Sequence, residues 1–355
     1  MYYKEDWEKS KERYKALWQG QIVDRCCVSI TSPRRGYEHM HWGAHGTFLR
    51  NRNDPKAVLE DCIASLESTY FGGDAIPQVW MNYGPAGLAA YFADFKDDGK
   101  TTWYDPVIRS WDADMPVFDP ACAFFCQQIE MAEFLAKEGK DRFILSKPDN
   151  SGIMDALAAL RGSLDLLVDT LTAPDKVHEA LRVLTDAWIY SNNKLYEVTT
   201  EGGKSGSSIG WMSIWAPGNL SQLQADISVM ISNSQFREFV MPELKNCAAS
   251  QDYSLYHLDG TEQIRHLDDL LSVNGIGMIQ WTSVAGQPNY MHQFDTLRRI
   301  QAAGIGLMLT GVIPKDIETV MENLSHKGLM IMTSAATQDE AEMIVKSVAK
   351  LTRDK

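Results

Sequence analysis

Apolar and polar positions change rhythm several times along the chain, and each rhythm marks an element. Near the start, Tyr3, Trp7, Tyr14, Leu17 and Trp18 fall on one helical face with Lys and Glu around the rest, which predicts a helix docked on the body of the protein. The run Arg25–Thr31 predicts a strand ending in the polar turn Ser32-Pro33-Arg34-Arg35-Gly36. Asn53-Asp54-Pro55 predicts a capped helix start, and Gly72-Gly73 the end of that helix. A second strand is expected over Ile76–Met81. Residues 83–140 are the least regular, mixing aromatic residues with Pro and Asp before a helix over 121–138, and read as an insertion covering a site. Cys122 and Cys126 share a face of that helix; with no second Cys or His pair nearby they read as packing.

Beyond residue 142 the alternation becomes regular. Strands are expected at 143–146, 207–213, 254–258, 277–281, 304–309 and 328–332, separated by helical patterns. With the two earlier strands, eight strand-helix units predict an α/β fold, a (β/α)8 TIM barrel forming a single domain over 1–355. The N-terminal helix and the aromatic insertion stand outside the repeat. A doubly wound open sheet is the alternative, but no glycine-rich phosphate loop follows the first strand.

Composition narrows the function classes. The 355 residues carry 34 Lys+Arg against 47 Asp+Glu, a net charge of −13, which argues against nucleic acid or an anionic membrane as partner. Nine charged residues among the first 18, and no long apolar run, predict a cytoplasmic protein without a targeting segment. Ten Trp, 13 Tyr and 12 Phe supply enough rings to wall a pocket as well as fill a core.

In a parallel barrel the reacting groups sit at the carboxyl ends of strands. Those positions hold Arg34, Asn82 with Tyr83, Asp149 with Asn150, Trp211, His257 with Asp259, Gln280 with Trp281, Thr310, and Thr333 with Ser334. The sharpest element is Tyr256-His257-Leu258-Asp259-Gly260: residues two apart on a strand point the same way, so imidazole and carboxylate can hold a metal or move a proton together. The competing reading makes Asp259 the cap of the next helix. Asp226 is a third candidate, in a loop after the fourth strand with Trp211 and Trp215 nearby. Gln280 and Trp281 offer an amide and an indole N–H to a polar substrate, and Asn82, Tyr83 and Arg34 complete the expected binding set. Arg161 reads as a structural ion-pair partner, and His39, His41 and His45 as a polar loop.

The segments Leu223–Pro242, Tyr256–Gly260, Gly277–Trp281, Leu157–Gly162 and Ala173–Val177 together resemble the uroporphyrinogen decarboxylase superfamily over roughly residues 140–350. The resemblance implies a (β/α)8 barrel and one of two activities: decarboxylation of uroporphyrinogen, or methyl transfer involving a corrinoid protein. Pro33-Arg34-Arg35-Gly36 lacks the Arg-Gln-Ala-Gly-Arg stretch of the decarboxylases. The thiol methyltransferases of the superfamily hold zinc through His-x-Cys and a later Cys. Here His257 is kept, Asp259 stands at the first Cys position, and Met332-Thr333-Ser334-Ala335 offers no second. The implied function is a methyltransferase moving a methyl group between a small substrate and a corrinoid on a partner protein. His257 and Asp259 are its candidate metal ligands, for zinc or a harder divalent ion, and Asp226 joins them as a catalytic residue. The alternatives are a cofactor-independent lyase, decarboxylase or hydrolase using His257 and Asp259 as acid and base, and a non-catalytic binding protein. Candidate partners are the small substrate, the corrinoid protein and a second copy of the chain.

Overall fold

The computed structural model describes residues 1–38, 46–85, 87–150, 152–200 and 202–353. His39, His41 and His45 lie outside the described residues. Among the described residues there are thirteen strands: β1 (Cys27–Pro33), β2 (Thr69–Gly73), β3 (Gln78–Trp80), β4 (Lys96–Asp97), β5 (Thr102–Trp103), β6 (Ile144–Ser146), β7 (Ser207–Ser208), β8 (Trp215–Ala216), β9 (Leu220–Leu223), β10 (Tyr253–Asp259), β11 (Ile276–Thr282), β12 (Gly306–Leu309) and β13 (Leu329–Ser334). Seven of them form one sheet in the order β2-β1-β13-β12-β11-β10-β9, parallel except for β2. Helices join the parallel strands, so the chain is α/β with a central, mostly parallel sheet. β3 and β6 pair in parallel as a separate ladder, tied to the β7 region by the bridge between Lys147 and Ile209.

Two expected boundaries are corrected. The helix opened by Asp54, whose side chain accepts from the Ala57 N–H, ends at Ser68 and not at Gly72-Gly73. Thr69-Tyr70-Phe71, rich in strand-forming side chains, instead starts β2. The strand expected over 207–213 is only two residues long, because Gly210 and Ser213 take left-handed backbone angles (φ 40° and 48°) that stop extension. The chain turns back through β8, and the strand that joins the large sheet is β9.

Strand alternation sorts the sheet's two faces. Leu255, Met278, Met308, Met330 and Cys27 project from successive strands into one cluster, sealed by Trp7, Tyr14 and Leu17 of the helix Trp7–Trp18. The opposite face, with Tyr256, Ile279, Trp281 and Leu307, packs against the surrounding helices. The N-terminal helix is locked by charge as well: Asp74, fully buried, binds Arg13 at 3.2 Å and Arg25 at 2.6 Å. The insertion packs on its neighbours through Trp111, which donates to Asp169 at 3.0 Å, and Val107, which donates to the Leu160 carbonyl at 2.8 Å. Arg161 pairs with the same Asp169 at 2.7 Å. Cys122 is half-buried and packs against the core, whereas Cys126 is exposed, so only the first of the pair serves packing. Among the described residues no helix is long and apolar enough to cross a membrane.

Lys147 spans the seam between β6 and β9. Its Nζ donates to Asn219 Oδ1 at 2.8 Å and Ser221 Oγ at 3.2 Å, while its backbone binds Ser208 and Gly210. Burial lowers its pKa to about 7. Between that value and the ordinary lysine range the unfolded chain holds a proton that the folded chain does not, so stability rises with pH across the window. Urea unfolding should show wild type gaining about 2–4 kcal/mol more than Lys147→Met between pH 7 and pH 10. Equal slopes in the two proteins would contradict this.

Candidate functional site

On the face of the sheet that carries Leu255 and Met278, strands β9, β10, β11 and β12 become polar toward their carboxyl ends. Along β9 and just past it, Gln222, Gln224 and Asp226 recur at intervals of two, and β10 adds His257 and Asp259 in the same way. The register sets His257 beside Gln280 and Asp259 beside Thr282. Three ligand-capable atoms, one each from Asp226, His257 and Asp259, lie within 4.8 Å of one another.

Hydrogen bonds fix how these groups face. Gln280 directs its amide N–H bonds to Thr282 Oγ1 at 2.8 Å and Thr310 Oγ1 at 2.9 Å, so its oxygen faces His257 Nδ1 at 2.5 Å. The imidazole must therefore donate from Nδ1, so in its neutral form the lone pair is on Nε2. That nitrogen lies 3.9 Å from Asp259 Oδ1. Trp211 sets its ring at a right angle to the imidazole, 5.0 Å between centroids. Replacing Gln280 by Leu removes the acceptor that holds this tautomer, so divalent-metal affinity should fall about 10- to 100-fold with little change in melting temperature. Calorimetric titration tests it, and unchanged affinity would assign the imidazole's orientation to packing alone.

Asp226 is held from two sides. Its backbone N–H and that of Ile227 donate to the Asp155 carboxylate at 2.9 and 2.8 Å. Its Oδ2 accepts from Gln224 Nε2 at 3.2 Å, and Gln224 in turn accepts from Gln222. Oδ1 is buried with no hydrogen-bond partner. Burial, reinforced by the nearby Asp155 and Asp259 carboxylates, pushes the Asp226 pKa up to about 8. Asp155 is raised as well, chiefly by burial.

Asp259 does not cap the next helix. Gln287 Oε1 takes the Thr261 N–H at 2.8 Å instead. Gly260 holds φ at 82° with that same Gln287 oxygen 2.5 Å from where a Cβ would stand, so the turn favours glycine, and the Asp259 side chain joins His257 and Asp226.

The other expected binding residues are dispersed. Trp281 faces outward into the helix-covered core, because alternation that turns Gln280 inward turns its neighbour away. Trp215 packs edge-on against Trp7 at 5.7 Å, at the opposite end of the sheet from His257. Tyr83 is buried between Phe48 and Phe124. Arg34 donates to the Thr69 carbonyl and lies over the Tyr3 ring, and Asn82 accepts the Gly84 N–H in a local turn. Of that set only Trp211 and Gln280 touch His257. The reading of the sequence missed Gln224 and Asp155.

No family model matches the chain, and no curated protein does. A solved structure does. It is a methyltransferase from Methanosarcina mazei, matched with a TM-score of 0.64 at 12% sequence identity over 96% of this chain and 98% of that one. At that identity the likeness is one of fold.

Proposed function

We propose that the chain is a methyl-transfer enzyme of the corrinoid-linked kind, a divergent relative of the uroporphyrinogen decarboxylase superfamily with a closed (β/α)8 ring. It would move a methyl group between a small oxygen- or nitrogen-linked compound and a corrinoid on a separate protein docked at the carboxyl ends of β9 to β12. The observation that carries this reading is the convergence of Asp226, His257 and Asp259 on one point, with the His257 Nε2 lone pair left free by Gln280. End-to-end likeness of fold to a methyltransferase supports it.

The donor set bears on the metal. Two carboxylates and an imidazole, one carboxylate oxygen buried and unpartnered, fit a divalent ion of the hard or borderline class, zinc included. They do not fit a soft thiolate-rich centre. When bound, such an ion would draw charge from the heteroatom that gives up or accepts the methyl group. The chain's own residues orient this arrangement: Gln280 holds the imidazole, Asp155 fixes the backbone that presents Asp226, and Trp211 packs on the imidazole edge.

Methyl exchange with methylcobalamin or cob(I)alamin, over a panel of methoxy and methylamine compounds, tests the proposal. Wild type should turn over, and His257→Ala should lose at least about a hundredfold. An inactive wild type across the panel would overturn it. One observation favours a second reading, a metal-free lyase, decarboxylase or hydrolase: with its pKa pushed up to about 8, Asp226 carries a proton at neutral pH close to the His257 imidazole. Turnover without corrinoid or metal would select that reading.

A further inference from the structure

The end of the sheet opposite His257 carries a hollow of about 530 Å³. The helix Trp7–Trp18, the turn after the helix Ala123–Glu138 and the loop before β7 contribute its walls. Lys11, Lys15, Lys140 and Lys204 line it, against the two acids Glu8 and Asp141. In a chain with a net charge of −13, this is a local inversion of sign. Lys11 and Lys15 stand one helical turn apart, an arrangement that like-charge repulsion disfavours. Glu8 neutralises Lys11 at 2.7 Å, whereas among the described residues no carboxylate pairs with Lys15 or Lys204. Trp7, Phe143 and Trp215, all largely buried, contribute apolar wall.

We propose that this hollow binds a small polyanion: a molecule with two or more phosphate or carboxylate groups on a compact apolar body. Amines from three separate stretches of chain surround a space much larger than one inorganic ion, within the range of about 300–1,000 Å³ usual for small-molecule sites. Ammonium groups on flexible stems adapt to either anion, and the aromatic wall suits the body that carries them. The site is distinct from the His257 cluster, although the segment 205–217 lines the hollow with Ser205 and Trp215 and reaches His257 through Trp211.

Isothermal titration calorimetry at fixed ionic strength, with pyrophosphate, ATP and citrate as probes, tests the proposal. At least one probe should bind saturably at one site per chain. The doubly substituted Lys15→Ala, Lys204→Ala protein should bind it at least tenfold more weakly, while Lys15→Arg, Lys204→Arg and His257→Ala should each stay within about twofold of wild type. A preference for pyrophosphate and ATP over citrate would assign phosphate chemistry, and the reverse carboxylate chemistry. Absence of saturable binding for all three at millimolar concentration would overturn the proposal. Undiminished binding in an alanine double variant that melts like wild type would do the same.

Discussion

Asp226→Asn should lower divalent-metal affinity about a thousandfold, roughly 4 kcal/mol, and at the same time make the metal-free protein more stable at pH 8. Both effects come from the burial of Asp226 among other acids. Burial first, and then the nearby Asp155 and Asp259 carboxylates, make ionising it without a cation unfavourable and push its pKa up to about 8. A carboxyl raised in the folded state binds a proton there that the unfolded chain has already released. Stability is therefore lost as pH rises from about 4 toward 8, and the loss is complete above that range. Asn cannot ionise and escapes it. Discounted for the part of Asp226 that solvent reaches, the gain at pH 8 should be about 2 kcal/mol, shrinking toward zero near pH 4. Urea unfolding at the two pH values, paired with zinc titration, measures both effects. A variant that binds zinc as wild type does would remove Asp226 from the site.

Asp74→Ala should be among the most destabilising single substitutions in the chain. Asp74 has no exposed surface and satisfies two nearly buried guanidinium groups, Arg13 and Arg25, while also accepting the Val28 N–H at 3.1 Å. Removing it leaves Arg25 without its carboxylate and Arg13 with only the half-exposed Asp24 at 2.7 Å. Breaking one side of a buried pair in this way costs about 3–5 kcal/mol. The loss should appear in the denaturant midpoint. Restoring tight packing by replacing both arginines with Met as well should recover part of it. A loss under about 1 kcal/mol would mean that the N-terminal helix is held by its Trp7, Tyr14 and Leu17 contacts alone.

Much of this architecture was legible from periodicity. The helix Trp7–Trp18, the helix cap at Asp54, and strands β10 to β13 follow directly from the spacing of apolar residues. His257 and Asp259 were legible for the same reason: a two-residue interval on a strand puts them on one face. What failed depended on backbone angles or on facing. Gly210 and Ser213 break an apparently continuous strand through left-handed angles that hydropathy does not encode. Once β9 was misplaced, the interval Gln222, Gln224, Asp226 lost its meaning, although it is the same signal that found His257. Trp281 and Trp215 look like pocket walls in a sequence because aromatic rings serve cores and pockets equally well. Counting alternation from His257 across the register would have turned Trp281 outward. Asp155 lies about seventy residues from the backbone it supports, a contact only the folded chain brings about.

X-ray absorption at the zinc edge of the zinc-loaded protein tests the proposed metal site most directly. One ion per chain should be present, surrounded by nitrogen and oxygen at about 2.0–2.2 Å, with the outer-shell signature of a single imidazole that disappears in His257→Ala. A sulfur shell near about 2.3 Å, or zinc whose surroundings do not change when His257 is removed, would contradict a centre built from Asp226, His257 and Asp259.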